Sequence, residues 1–153
     1  MKALTICQPY PHLICVTREK RVENRNWPTR YRGPLLIHAG KSRDWLDIEY
    51  LRDEEIDYTY DIKLADMAFG AVIGAATLHD CLHIDAIRRG DYDAQMPWLK
   101  SHEHAEGPWC WVLTNRVLFP QPVPYKGQQG LFDIPDEAVA EQIAAVRQMR
   151  AAA

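Results

Sequence analysis

Apolar residues recur in short runs that predict strands near both ends and in the middle of the chain. Residues 35–39, Leu-Leu-Ile-His-Ala, form a continuous apolar run of the kind found in buried strands. Longer runs over 69–78 and 109–119 predict two further strands, the first extending to about residue 84. Residues 3–7 and 131–134 predict a short first and a short last strand.

The remaining segments show helical spacing, alternation or no clear period. Residues 21–25 alternate in type and predict a strand with a polar face turned to a cleft. Residues 91–108 are predicted to form an irregular insertion, and the prolines over 120–124 predict an edge strand or an extended connector. Apolar spacing and capping residues predict five helices. Three of them cover residues 10–18, 59–67 and 85–89, a fourth begins at about residue 43 after a Ser42 cap, and the last begins at about residue 135.

Strands at both ends with helices between them predict an α+β chain built on a small barrel or a strongly curved sheet of about five or six strands. The length of 153 residues predicts one domain spanning 1–153, and 47% hydrophobic with 25% charged residues is typical of a globular protein. We expect no membrane span, because the longest apolar stretch, 68–78, is too short. Four cysteines without CxxC spacing and the lack of a signal-peptide pattern predict free thiols and a cytoplasmic location.

Charge is distributed unevenly along the chain. The net charge of −3 argues against a broad basic surface for long duplex DNA. Between residues 2 and 41, however, eight Lys and Arg residues are opposed only by Glu19 and Glu23. This excess predicts a local basic cleft.

Three charged residues in this region are candidates for a site. Glu23 and Arg25 share one face if 20–25 is extended, and Lys20 joins them only if the chain bends near it. A lysine beside a carboxylate in a cleft can hold a phosphate or act as a base, and Arg25 can fork onto a phosphate. The alternative is a Glu–Arg pair that only ties the sheet together.

Aromatic and guanidinium side chains follow directly. Trp27, Arg30 and Tyr31 provide the ring faces and positive charges that bind unpaired bases and phosphates. The alternative is that Trp27 packs in the core and the arginines are solvated. His38 follows an apolar run, which is more typical of a hydrogen-bonded core or rim histidine than of a catalyst.

Other chemistry is not indicated. His79, Cys81 and His83 share one strand face, but their spacing matches no standard zinc motif, so we predict no bound metal and no cofactor. The glycines over 127–130 match no Walker or dinucleotide pattern. Serine occurs only at 42 and 101, and no Ser-His-Asp arrangement is recognisable.

Several motifs, in order, resemble the ASCH domain family, which shares the PUA-like barrel. The family's usual motif is Gly-x-Lys-x-x-Glu-x-Arg, and Lys20, Glu23 and Arg25 occupy its polar positions, whereas Arg18 stands where glycine is usual. The other motifs are Leu-Thr-Ile-Cys-Gln-Pro over 4–9, Trp-Pro-Thr-Arg-Tyr-Arg-Gly-Pro-Leu-Leu-Ile-His-Ala over 27–39, Trp-Cys-Trp-Val-Leu over 109–113 and Gly-Leu-Phe-Asp-Ile over 130–134.

The resemblance implies a PUA-like small barrel whose polar cleft binds RNA or a nucleotide-like small molecule, with ribonuclease activity as one form of this function. Two alternatives stay open: an amidohydrolase acting on a modified nucleoside such as acetylated cytidine, and a non-catalytic ligand- or partner-binding module. The amidohydrolase type has a nucleophilic threonine three residues after the lysine, where this chain has Glu23. The site predicted on this basis has Lys20 and Glu23 as catalytic residues and Arg25, Trp27, Arg30, Tyr31 and His38 as ligand-binding residues.

Overall fold

The computed structural model describes residues 1–46, 56–57 and 62–153. The described strands are β1 (Lys2–Ile6), β2 (Val22–Arg25), β3 (Gly33–Ala39), β4 (Ile56–Asp57), β5 (Ile62–Lys63), β6 (Ala71–His83), β7 (Trp109–Pro124) and β8 (Leu131–Asp133). The described helices are α1 (Tyr10–Cys15), α2 (Ile84–Arg88) and α3 (Asp136–Ala152).

Six of these strands form one mixed sheet in the order β2-β7-β6-β3-β1-β8, while β4 and β5 pair only with each other. β1 runs parallel to β3, with Thr5 opposite His38, and the other pairs are antiparallel. Register shifts between β6 and both of its neighbours locally increase the twist. The result is a curled half-barrel of six strands, which confirms the predicted α+β fold.

Both faces of the sheet are covered, which explains the continuous apolar runs. Leu4 and Ile37 belong to a core cluster that includes Ile14 of α1, whereas their neighbours Ala3 and Leu36 belong to a second cluster beneath α3. Successive strand residues point to opposite faces, so both sets are buried only when both faces are packed. β1 and β3 are therefore central strands, each with a neighbouring strand on both sides and a packed core on both faces.

Two helices differ from the prediction. α1 ends at Cys15 rather than near Arg18, because Arg18 adopts a left-handed backbone conformation (φ 63°) that a helix cannot continue through. The prediction of an α-helix over 59–67 is wrong in its described part: residues 62–63 are strand β5, and Leu64–Asp66 is a single 3₁₀ turn. Ile62 and Met67 are instead held in a buried cluster with Leu13 of α1.

Other predicted segments are found with different lengths. The predicted helix from about 43 is a turn in its described part, residues 43–46, where the Ser42 hydroxyl accepts a hydrogen bond from the Asp44 N–H, and its remainder lies outside the described residues. β7 extends beyond 119 to Pro124, but β2 pairs only with residues 109–112 of it. Pro124 is paired with Ala71 of β6, whereas Pro120 and Pro122 lie in a register shift between β6 and β7. All three prolines are outside the part of β7 that β2 covers, in agreement with the predicted edge position. No helix in the described ranges is long and apolar enough to cross a membrane.

Candidate functional site

A polar cleft of about 270 Å³ opens between the C-terminal end of β1, the start of α1 and strand β2. The loop between α2 and β7 closes one side, and Trp45 reaches it from the segment after β3. Its lining residues are Thr5, Ile6, Cys7, Tyr10, Lys20, Glu23, Asn24, Arg25, Trp45, His104 and Glu106.

A tight turn between α1 and β2 brings Lys20 into this cleft. After the left-handed residue Arg18, the Lys20 N–H donates to the carbonyl of Leu13 at 3.1 Å. The Arg116 guanidinium, from β7, donates to the carbonyls of both Arg18 and Lys20. The chain therefore bends before Val22, and Lys20 faces the same side as Glu23 and Arg25, as a family-like site requires.

Lys20, Glu23 and Arg25 form a connected ion network. The Glu23 carboxylate lies 3.6 Å from Lys20 Nζ and 3.3 Å from Arg25 Nε, and Arg25 Nη2 donates to the Thr5 carbonyl at 2.8 Å. Lys20 is 3% exposed and Glu23 7% exposed. Burial lowers the pKa of Lys20, and the negative charge of Glu23 opposes this shift. The cleft thus holds a partly desolvated amine beside a carboxylate.

Aromatic rings border the same space. Lys20 Nζ lies 4.8 Å from the centroid of the Tyr10 ring, within the range of a cation–π contact. The Trp45 ring packs edge-on against Tyr10 at 6.2 Å between centroids, yet Trp45 is 64% exposed. A ring face at the mouth of the cleft is therefore accessible to a ligand.

Asn24 fastens the insertion loop to the cleft. Its side-chain amide donates to the His104 carbonyl at 2.7 Å, and its Oδ1 accepts from the N–H groups of Glu106 (3.0 Å) and Gly107 (2.8 Å). These three bonds place His104 and Glu106 in the lining. Burial lowers the pKa of His104, and the charge of Lys20 adds to the shift.

The sequence profile of the ASCH domain matches residues 4–128. This chain belongs to the ASCH domain family. The fold is similar to that of solved ASCH proteins. The ASCH protein from Zymomonas mobilis has 13% identity and a TM-score of 0.50, with 94% of this chain and 93% of that chain covered.

Two mutants of that Zymomonas mobilis protein are also similar to this ASCH domain. The Ser-to-Ala mutant has 14% identity and a TM-score of 0.50, with 94% of each chain covered. The Tyr-to-Phe mutant has 14% identity and a TM-score of 0.49, covering 94% of this chain and 96% of that one. No curated protein matches the chain.

The three polar residues that resemble the family motif line the cleft of this ASCH domain, but the other four predicted ligand-binding residues do not. Trp27 packs edge-to-face against the buried Trp111 at 4.8 Å and contributes to the core, as the alternative interpretation held. The Tyr31 hydroxyl donates to the Pro34 carbonyl, and Arg30 is exposed. Trp27, Arg30 and Tyr31 are thus on the chain segment that leaves the cleft.

His38 borders a different cavity of about 420 Å³. Its Nδ1 lies 3.1 Å from Thr5 Oγ1, and its Nε2 lies 2.7 Å from the Tyr125 carbonyl oxygen. His38 is 1% exposed. The structure therefore places His38 apart from Lys20 and Glu23, although Thr5 borders both cavities.

Eight residues of the cleft are not among the predicted site residues: Thr5, Ile6, Cys7, Tyr10, Asn24, Trp45, His104 and Glu106. Tyr10 lies in a Gln-Pro-Tyr-Pro segment and His104 in an insertion without period, so neither position carried a sequence signal for this site. Within the described ranges, no group of three or more His, Cys, Asp or Glu side chains is arranged to hold a metal ion.

Proposed function

We propose that this ASCH domain binds a single nucleotide unit, free or within RNA, in the cleft formed around Lys20, Glu23 and Arg25. The observation that carries the proposal is the buried Lys20–Glu23–Arg25 network next to the exposed ring of Trp45. Such a site combines positive charge for a phosphate, a carboxylate for a base edge and a ring for stacking.

The size of the cleft favours one unit rather than a duplex. A volume of about 270 Å³ is close to the lower limit for small-molecule pockets. An unpaired base that stacks on Trp45 would direct its polar edge towards Glu23 and its phosphate towards Lys20 or Arg25. RNA would then contribute an unpaired residue or an end, because paired bases do not expose these edges.

Two ligand sources fit this chemistry, and a titration separates them. We would measure the affinity of the protein for a short single-stranded RNA, for each nucleoside monophosphate and for each nucleoside at low salt. RNA as the ligand predicts affinity that increases with length and falls with salt. A free nucleotide predicts saturation by the monomer and little gain from a longer strand.

Variants test whether binding occurs in this cleft. Lys20→Ala should lose about one to two decades of affinity, because a charge-assisted bond contributes roughly 1.5–3 kcal/mol. Trp45→Ala should lose a similar amount, since stacking contributes about 1–3 kcal/mol per base. Lys100→Ala is the control, because Lys100 is exposed and paired only loosely with Asp93 (4.0 Å). Unchanged affinity in both cleft variants, with circular dichroism intact, would refute the site.

The lowered pKa of Lys20 beside Glu23 favours a second candidate function, hydrolysis of the bound nucleotide or of an acylated nucleoside. An amine that loses its proton more readily is a better general base. Lys20→Arg keeps the positive charge but cannot give up its proton, so it should bind ligand without turnover. Incubation of the protein with RNA and with acetylated cytidine tests this; binding without turnover of either would leave a non-catalytic binding module.

A further inference from the structure

The second cavity contains a hydroxyl directed at a buried imidazole. Thr5 of β1 and His38 of β3 are opposite each other in the parallel ladder, and their side chains meet at 3.1 Å between Oγ1 and Nδ1. Two lysines, Lys41 and Lys126, line the same cavity of about 420 Å³. Thr5 is only partly buried, so its hydroxyl is within reach of a ligand in this cavity.

The hydrogen bonds of His38 determine its tautomer. A carbonyl oxygen only accepts hydrogen bonds, so Nε2, which lies 2.7 Å from the Tyr125 carbonyl, must carry the proton. In the neutral ring Nδ1 then has a free lone pair, and it accepts from the Thr5 hydroxyl. Burial lowers the pKa of His38, which favours this neutral form.

A hydroxyl, a base and a group that orients the base are the components of an activated nucleophile. We propose that Thr5 and His38 form a second reactive site, at which Thr5 accepts an acyl group from a small carboxylic ester that carries a negative charge. The negative charge of the ester would lie near Lys41 and Lys126. This inference does not depend on nucleotide binding in the first cleft.

The proposed reaction has two balanced steps. Thr5 Oγ1 attacks the ester carbonyl carbon while its proton passes to His38 Nδ1; the bond to the leaving alkoxide breaks, and that oxygen takes the proton from His38. Water then attacks the acyl-threonine, gives its proton to His38 and releases the carboxylic acid, while the proton returns to Thr5 Oγ1. No oxidant, metal or other reactant is required.

The loop over the pair depends on a glycine. A Cβ on Gly127 would lie 2.8 Å from both Thr5 Oγ1 and His38 Cε1, closer than side-chain atoms are found to approach. Because Gly127 has no side chain, the loop after β7 can line the cavity without disturbing the hydrogen bond between the Thr5 hydroxyl and the His38 imidazole. Any larger residue at 127 would have to displace the pair or the loop.

The test uses two activated esters, mono-4-nitrophenyl adipate, which is anionic and too long to expel nitrophenolate through a five-membered cyclic anhydride, and 4-nitrophenyl acetate, which is neutral. After subtraction of release without protein, we expect faster nitrophenolate release from the adipate, and peptide mass spectrometry should find the acyl group on Thr5. Thr5→Val and His38→Gln should each reduce release by about 100-fold, the lower range for loss of acid–base assistance. Thr77→Val is the matched control, because Thr77 is also a strand threonine, and its hydroxyl accepts from the Asn115 amide rather than facing an imidazole.

Thr5→Ser, which retains a hydroxyl, should retain most of the acylation and separates loss of the nucleophile from loss of the fold. Equal rates in the wild type and Thr5→Val would overturn the proposal. So would acyl groups found only on Lys41, Lys126 or other amines of the folded wild type. Because the esters contain no nucleoside, a negative result leaves nucleotide binding in the first cleft untouched, and a failed nucleotide titration leaves this site untouched.

Discussion

The ammonium nitrogen of Lys20 lies 3.6 Å from the Oε2 atom of Glu23, and both residues are buried. Each charge has been removed from water, so each depends on the other for compensation. The same pair is the centre of the proposed nucleotide site, and its contribution to stability can be measured separately from its contribution to binding.

We expect Glu23→Gln to lower the free energy of unfolding by roughly 3 kcal/mol, because it leaves a buried ammonium without its carboxylate. The double variant Lys20→Met with Glu23→Leu should be more stable than Glu23→Gln, since apolar side chains replace both buried charges, but less stable than the wild type, because Arg25 Nε loses the carboxylate. Urea unfolding of the two variants measures both values. A double variant that is less stable than Glu23→Gln would contradict this account of the pair.

Stability should fall in mild acid because of His102. The Arg21 N–H donates to His102 Nε2 at 3.1 Å, which requires an unprotonated nitrogen, and burial lowers the pKa of His102 from its usual 6.5 to about 4. Between these values the unfolded chain binds the proton more readily than the folded one, so the free energy of unfolding decreases as the pH falls through this window. Urea midpoints at about pH 7 and about pH 4.5 should differ less in His102→Gln than in the wild type. The exposed His79→Gln serves as the control and should behave as the wild type does.

Arg18 should be replaceable by glycine with a gain in stability. Its φ of 63° is in the left-handed region, which is unfavourable by about 1 kcal/mol for a residue with a Cβ. Arg18→Gly removes that strain and keeps the carbonyl that Arg116 binds, so we expect a gain of about 0.5–1 kcal/mol in thermal or urea unfolding. Asn115 also has a positive φ, of 49°, but asparagine tolerates this conformation, so Asn115→Gly should gain less. Loss of stability in Arg18→Gly would show that the arginine side chain matters more than the backbone strain.

Asn24→Ala should release the insertion loop from the cleft. The variant loses three hydrogen bonds to residues 104–107, and we expect a cost of about 2–3 kcal/mol in the free energy of unfolding. Hydrogen exchange should increase at the backbone amides of Glu106 and Gly107, because their N–H groups donate to Asn24 Oδ1 in the wild type. Asn26→Ala, one step beyond β2 and exposed, should leave both measurements unchanged.

The cysteines should differ in reactivity with iodoacetamide. Burial raises the pKa of Cys15 to about 12 and that of Cys110 to about 11, so these two form little of the reactive thiolate near neutral pH. Cys7 lines the cleft and is only partly buried, so it should be alkylated first. Peptide mass spectrometry over time tests the order, and Cys7→Ser should remove the fast phase. A nucleotide bound in the cleft should slow the reaction of Cys7.

The positions of the central strands along the chain were predictable, because a strand that is buried on both faces of the sheet has a continuous run of apolar residues. Residues 35–39 and 109–119 were recognised in this way, and β3 and β7 are found there. Helix ends were less predictable, since the end of α1 depends on the backbone conformation of a single residue, Arg18. The 3₁₀ turn at Leu64–Asp66 likewise reflects tertiary packing against α1 rather than local preference.

The candidate site was predictable only where its residues are close in sequence. Lys20, Glu23 and Arg25 lie within six positions, and their charges together indicated a cleft. His104 reaches the same cleft through the bonds of Asn24, 80 residues earlier, and no local pattern contains that relation. For Trp27 the local sequence was ambiguous, because an aromatic ring beside arginines is compatible with both a binding surface and a core position. Its contact with the buried Trp111 in the fold places it in the core.

The prolines at the C-terminal end of β7 also affect how copies of the chain can meet. Pro120, Pro122 and Pro124 provide no N–H groups along a stretch that β2 does not cover. A strand from another molecule that approached this edge of β7 would meet backbone carbonyl acceptors but few N–H donors. A β-sheet could therefore not be extended here from one molecule to the next. The Gln121 N–H between two of these prolines already donates to Gln142 of α3, so this stretch of β7 is protected against edge-to-edge polymerisation.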